Sequence, residues 1–292
     1  MQAVSTASLS FEYFPPRDEA ARKRLHGAHQ RLSALQPEYI SVTYGAGGST
    51  REATSKLVED LASCSTVEVA PHLSFGVDDA ETIGAMIDRY KALGIRRLIA
   101  LRGDLPAGQE DSRALPHANE MVRFIRERTG GHFDIGVACY PEKHPQAVSL
   151  DTDIQYLKQK LDAGADRAVT QYFYSADAYF YFLDACSKAG IQQPIYPGIM
   201  PINSLKSLLR FSSNCGAEVP RWLQCRLAPF ADDTAALTEC GIEIVSQLSE
   251  KLLDGGAPGL HFYTLNRSSP TIEICHNLGF GETSNSAVVN GN

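Results

Sequence analysis

The chain has 292 residues, 43% of them hydrophobic, which suffices for a large core and fits either one α/β barrel or two smaller domains. A formal charge of −7 leaves no basic footprint for nucleic acid or an anionic membrane. No apolar run reaches bilayer length, residues 1–7 lack a secretory signal pattern, and seven scattered cysteines without a C-x-x-C pair read as reduced thiols, so the expectation is a cytoplasmic protein with no disulfide frame and no metal site.

Residues 9–14 alternate apolar and polar until Pro15-Pro16, which end a strand because proline has no N–H to donate. Residues 19–35 place Leu25, Leu32 and Leu35 at helical spacing, and residues 39–44 form a second strand. A glycine-rich turn comes next, then a helix that Ser49 or Thr50 can cap. The same unit recurs: strand 67–75 with helix 79–93, the apolar run 98–101 with helix 115–128, and strand 133–140 with helix 151–163 stopped by Gly164. Strand 168–173 with helix 176–189, strand 194–199 with helix 204–212, a helix over 234–253, strand 259–265 and a short helix near 271–277 complete the series. Eight βα units without a linker predict a single (β/α)8 TIM barrel over residues 9–281, with residues 1–8 as an N-terminal tail and the polar residues 282–292 as a disordered one. No G-x-G-x-x-G follows the first strand, which argues against a Rossmann fold.

The run 98–101 carries no alternation, as suits a strand covered on both faces, and it ends in Arg102-Gly103-Asp104. Charge at the carboxyl end of a buried strand is where α/β proteins keep their sites, although an incidental ion pair in a solvated loop has the same pattern. Glu12, Thr43, His72, Asp104, Tyr140, Gln171 and Tyr263 all fall in or just after apolar runs, where a barrel is normally filled by branched apolar side chains. Glu12, between Phe11 and Tyr13, has the profile of a desolvated general acid; an outward-facing or ion-paired glutamate is the plainer alternative. His72 also fits a structural histidine, and Gln171 either binds an amide-like ligand or bridges barrel layers. The aromatic runs Tyr172-Phe-Tyr174 and Tyr179-Phe-Tyr-Phe182 fit a stacking surface or core. Asp153, Tyr156 and Lys160 share one helix face, either a phosphate contact or solvated surface, and His144 adds a second cationic candidate in a loop.

In their order, the segments Ser10-Phe-Glu-Tyr-Phe-Pro-Pro-Arg17, Val42-Thr-Tyr-Gly45, Ala70-Pro-His72, Ala100-Leu-Arg-Gly-Asp-Leu-Pro106, Tyr140-Pro-Glu142, His144-Pro145, Asp162-Ala-Gly-Ala165, Thr170-Gln171, Pro197-Gly-Ile199 and His261-Phe-Tyr-Thr-Leu-Asn-Arg267 resemble the methylenetetrahydrofolate reductase family, in its short bacterial type. The resemblance implies a flavin-dependent barrel that reduces 5,10-methylenetetrahydrofolate to 5-methyltetrahydrofolate by ping-pong hydride transfer through FAD, with NADH or NADPH as donor, in one-carbon metabolism and methionine synthesis. It implies Glu12 as the acid that helps open the folate ring, and Asp104 as the charge that shapes flavin and folate reactivity. Thr43, His72, Leu101, Arg102, Gly103, Asp104, Tyr140, His144, Asp153, Tyr156 and Lys160 match positions holding FAD, and Glu12, Asp104, Gln171, Phe211, Tyr263 and Arg267 match those lining the shared folate and nicotinamide site. Homo-oligomerisation is a further expectation of the family. Gly47-Gly48 and Ser207 depart from the bacterial pattern, Ser207 standing where a folate-contacting glutamine is usual. The competing readings are a proline-oxidising flavin barrel and a barrel that binds folate or flavin without turnover.

Overall fold

A computed structural model of the chain describes residues 7–44, 50–75, 78–103 and 117–281. Asp104, the Gly47-Gly48 pair and most of both expected tails lie outside these residues. The described chain is a barrel of parallel strands wrapped by helices. Its strands are β1 (Ser8–Tyr13), β2 (Tyr39–Val42), β3 (Glu68–Ser74), β4 (Arg97–Leu101), β5 (Asp134–Cys139), β6 (Arg167–Thr170), β7 (Ile195–Tyr196), β8 (Gly198–Ile199) and β9 (Gly259–Tyr263). Each pairs in parallel with its neighbour in the order β7-β6-β5-β4-β3-β2-β1-β9-β8.

The expected strand over 194–199 is therefore two short ones. Pro197 interrupts it: Ile195–Tyr196 pairs with β6, Gly198–Ile199 pairs with β9, and the strand spans the seam of the sheet. The Gly198 amide turns to the Thr170 hydroxyl at 2.8 Å, while Pro197 offers its carbonyl to the His261 amide at 3.0 Å. A side chain at Gly198 would put its Cβ 2.2 Å from the Thr170 carbonyl oxygen and 2.6 Å from the Tyr263 ring, so glycine is required there.

The helices are α1 (Glu19–Ser33), α2 (Arg51–Cys64), α3 (Ala80–Ala92), α4 (Ala118–Thr129), α5 (Leu150–Asp162), α6 (Ala176–Lys188), α7 (Leu205–Cys215), α8 (Arg221–Leu227), α9 (Thr234–Asp254) and α10 (Ser269–Asn277). Side-chain oxygens of Asp18, Thr50, Asp79, Ser149, Ser175, Ser204 and Asp233 accept a backbone N–H in the first turn of α1, α2, α3, α5, α6, α7 and α9, which is why those helices start where they do. Helix α8 and the 3-10 turn Ala228–Phe230 have no counterpart among the elements expected from the sequence, because seven residues after Pro220 are too few to show a helical period.

The main core lies between the strands and the helices, built from residues such as Phe11, Tyr13, Leu25, Leu57, Ile87, Val122, Leu157 and Phe262. Inside the barrel the apolar content is small, a cluster of Tyr39, Ala70 and Ile99 with Leu101 against it. All seven cysteines are free thiols, and among the described residues no helix is long and apolar enough to cross a membrane.

Candidate active site

Alternation along β1 and β9 puts Ser10 and Glu12 on one face of the first strand and His261 and Tyr263 on one face of the last. The parallel register sets Ser10 beside His261 and Glu12 beside Tyr263. A polar column results. The Ser10 hydroxyl and His261 Nδ1 are hydrogen-bonded at 2.8 Å, and His261 Nε2 lies 3.7 Å from Glu12 Oε2. His72 Nε2 approaches the same carboxylate oxygen at 3.4 Å from β3. Below, the Tyr39 ring stacks on His261 with centroids 6.0 Å apart.

Glu12 is at the carboxyl end of its strand, its side chain 19% exposed, so a solute at the barrel mouth can reach a carboxyl framed by two imidazoles. Burial pushes the His72 imidazole below its ordinary value; the facing Glu12 carboxylate opposes that shift and His261 adds to it. His72 is thus held neutral near pH 7.

The wall beside Glu12 is fixed by backbone contacts. The Thr264 hydroxyl donates to the Glu12 carbonyl at 2.7 Å, and Asn266 exchanges two hydrogen bonds with the Phe14 backbone, at 3.0 and 2.8 Å. Leu265 and Asn266 both adopt left-handed backbone, φ 51° and 58°, a costly conformation for side-chain-bearing residues that the Asn266 clamp sustains. This turn carries the exposed Arg267 next to the end of β1. The Tyr263 hydroxyl is spent on the Thr170 carbonyl at 2.7 Å. The Gln171 side-chain oxygen accepts the Tyr172 amide N–H at 3.0 Å.

A second group of polar residues lies around the ends of β2, β4 and β5. The Thr43 hydroxyl is buried and has no hydrogen-bond partner among the described residues. Lys160 of α5 reaches inward to donate to the Ala138 carbonyl, and burial holds its ammonium below the usual lysine value despite the counteracting Asp153. Asp153 accepts the His144 amide at 2.7 Å, and the Tyr140 and His144 rings meet edge to face. The imidazole Nδ1 of His144 accepts the Gln146 amide at 3.1 Å. Arg102 bonds Gln146, Gly103 comes next with φ 79°, and Leu101 closes β4. Of the shared face on α5, Lys160 and Asp153 turn to the barrel end while Tyr156 is 51% exposed.

The family model for methylenetetrahydrofolate reductase matches residues 2–279. The chain belongs to this family. Among its relatives are the 5,10-methylenetetrahydrofolate reductases of Pectobacterium carotovorum, 38% identical over 93% of this chain and 90% of theirs, and of Escherichia coli, 37% identical over the same shares. The NADH-named family member of Zea mays is 37% identical over 95% of this chain but only 49% of its own length. A solved structure from Clostridium thermocellum, described as binding two copies of 5-methyltetrahydrofolic acid, has a TM-score of 0.63 at 18% identity over 95% of this chain and 94% of that one, a likeness in fold.

Within this family fold, the structure gathers Glu12, His72, Tyr263 and Gln171 at the barrel mouth, with Thr43, Leu101, Arg102, Gly103 and Tyr140 at or just after the adjoining strand ends, His144 in the loop after β5, and Asp153 and Lys160 on α5. Phe211 is half-buried on α7. Asp104 lies outside the described residues. Ser10, Tyr39 and His261 do not stand out as site residues in the sequence, although the i, i+2 pairs Ser10/Glu12 and His261/Tyr263 carry the signal. The aromatic runs are mainly core: Tyr172, Phe173, Tyr174, Tyr179 and Phe182 are all buried, Phe173 stacks on Tyr179 at 5.6 Å, and only Tyr181 is well exposed.

Proposed function

We propose that the protein reduces 5,10-methylenetetrahydrofolate to 5-methyltetrahydrofolate with electrons from a reduced nicotinamide nucleotide, using FAD held at the carboxyl end of the barrel. The observation that carries this reading is the Glu12 carboxyl at the mouth, within 3.4 Å of His72 and 3.7 Å of His261, in a chain of this family.

The donor set suits a flavin dinucleotide. Lys160 and Arg102 supply positive charge for its phosphates, the unpartnered Thr43 hydroxyl and Asp153 supply hydrogen-bonding groups, and the positive φ of Gly103 lets backbone approach a ligand closely. A desolvated lysine ammonium that donates to a backbone carbonyl gains strongly from an anion. Leu101, Tyr140, His144, His72 and Tyr156 complete the proposed cofactor wall. When bound, FAD supplies storage for a hydride between the two substrates.

The chain's own task is proton supply and orientation. Glu12 delivers a proton to the folate so that its five-membered ring opens, and His261, held by Ser10, stands 3.7 Å from the carboxyl as one wall of its setting. Neutral His72 faces the carboxyl without a competing positive charge. Gln171, Tyr263, Phe211 and Arg267 form the substrate wall, Tyr263 by its ring because its hydroxyl is already committed. Asp104 belongs to the proposed site on the family resemblance alone.

The test is spectroscopic. Protein supplied with FAD is expected to turn yellow, to bleach with NADH or NADPH, and to recover its colour with methylenetetrahydrofolate. Protein that binds no FAD, or whose bleached flavin is untouched by folate, overturns the reading.

A further inference from the structure

Helix α7 packs on the barrel along one narrow face, with Leu205, Phe211 and Cys215 half-buried against the core around it. Of its eleven residues only Leu208 and Ser212 are buried. They are four apart and therefore on one face, and Phe211, three after Leu208, falls on the flank of that face. Whatever fixes the rotation of this face fixes where the Phe211 ring points.

Ser212 is a polar residue in a buried anchoring position, and its partner is Tyr172. The Tyr172 hydroxyl and Ser212 Oγ are 3.0 Å apart, and the Cys215 thiol donates to the same phenol oxygen at 3.3 Å. Burial raises the Tyr172 phenol above its ordinary value, so it stays protonated and able to donate. The other end of the tyrosine is equally defined. Its backbone comes directly after Gln171, and its ring meets Tyr263 and Tyr174 edge to face at 6.3 and 5.9 Å. One side chain thus spans from the barrel mouth to α7. Two neighbouring contacts secure the segment after the helix, the Glu218 amide on Glu142 at 2.8 Å and Gly216 against Pro145, but neither sets the rotation of the Leu208/Ser212 face.

We propose that Tyr172 is a positioning residue whose hydroxyl, by holding Ser212, sets the angle at which α7 presents Phe211 to the substrate pocket. This rests on Phe211 being pocket wall in the proposed reductase. A phenol latch loosens α7 when its bond is broken, with no loss of the ring packing against Tyr263.

Tyr172→Phe and Ser212→Ala remove the two halves of the bond separately and spare the fold. Amide hydrogen exchange is measured on the flavin-loaded full chain of each variant and of the double variant, together with steady-state kinetics in methylenetetrahydrofolate. The expected result is exchange faster by about two- to tenfold, the range of one net hydrogen bond, confined to Leu205–Cys215 in both single variants and no greater in the double. KM for the folate rises by a similar factor while kcat stays within about twofold, since uniform binding is lost and not the chemistry. Unchanged exchange in Tyr172→Phe overturns the latch, and faster exchange with an unchanged KM overturns the positioning role. Exchange needs no turnover, so failure of the reductase reading, seen as wild-type flavin that folate does not reoxidise, is separate from failure of the latch.

Discussion

The two ends of the barrel are both lined with charge, yet they are built in opposite ways. At the amino end, Arg97 and Arg167 share Glu38, Glu68 and Asp134: Arg97 lies 2.7 Å from Glu38 and 2.6 Å from Glu68, and Arg167 lies 2.5 Å from Asp134 and 3.3 Å from Glu38. Each guanidinium also covers a tyrosine ring, Tyr39 at 5.1 Å and Tyr196 at 5.3 Å. Two guanidiniums and three carboxylates are each held in an ion pair within the network, with Arg97 Nη1 left without a hydrogen bond among the described residues. At the carboxyl end, Glu12 faces imidazoles of which His72 is held neutral, the Thr43 hydroxyl has no partner among the described residues, and a desolvated Lys160 lies nearby. Charge paired with opposite charge closes one end of the barrel, while a carboxyl faced by a neutral imidazole at the other is where the proposed ligand would be taken up.

That contrast predicts where a substitution damages function and where it damages the fold. The largest effect is expected from Glu12→Gln, which keeps shape and loses the transferable proton. Folate-dependent flavin reoxidation should fall by about 10²- to 10⁴-fold, the usual contribution of a general acid, while reduction by NADH persists in stopped-flow traces. Equal loss of both half-reactions would break the assignment. At the closed end, Arg167→Met strips the two carboxylates of a partner and should cost about 3 kcal/mol, with Tm lower by about 6–12 °C and flavin binding retained. A variant of unchanged Tm would show that the network contributes only surface pairing.

Lys160→Met sharpens the comparison at the open end. It should weaken FAD binding by about 10- to 100-fold in flavin-fluorescence titrations, as for the loss of a charge-assisted contact, while leaving the apoprotein no less stable because a desolvated ammonium is removed. The smallest effect is the pH response. His72 and His29 are both depressed by burial, so below about pH 6.5 the unfolded chain takes up protons that the folded one refuses. Stability should therefore rise with pH through this window and fall as pH drops below it, by at most about 1.4 kcal/mol per pH unit per proton. The slope in chemical denaturation at pH 5–7 should be shallower in His72→Asn, and an identical slope would remove His72 from the account.

The sequence by itself determined the alternation of strands and helices, because apolar period, helix-capping residues and glycine or proline stops are local signals, and Thr50, one of the two candidates, caps α2. It also marked Glu12 as an anomaly, since a carboxylate in a strand otherwise destined for burial needs a partner or a task. Tertiary structure alone decided which partners it has. His261 lies 249 positions from Glu12, a pairing produced by the register of β1 on β9. The amino-end network was equally invisible, because each of its members reads locally as an ordinary strand-edge charge. The division of the seam strand at Pro197, the Lys160 bond to the Ala138 carbonyl and the Tyr172 to Ser212 bond likewise depend on barrel closure and helix packing. Spacing along the chain fixes which side of an element a residue occupies, and only the closed barrel fixes what stands opposite.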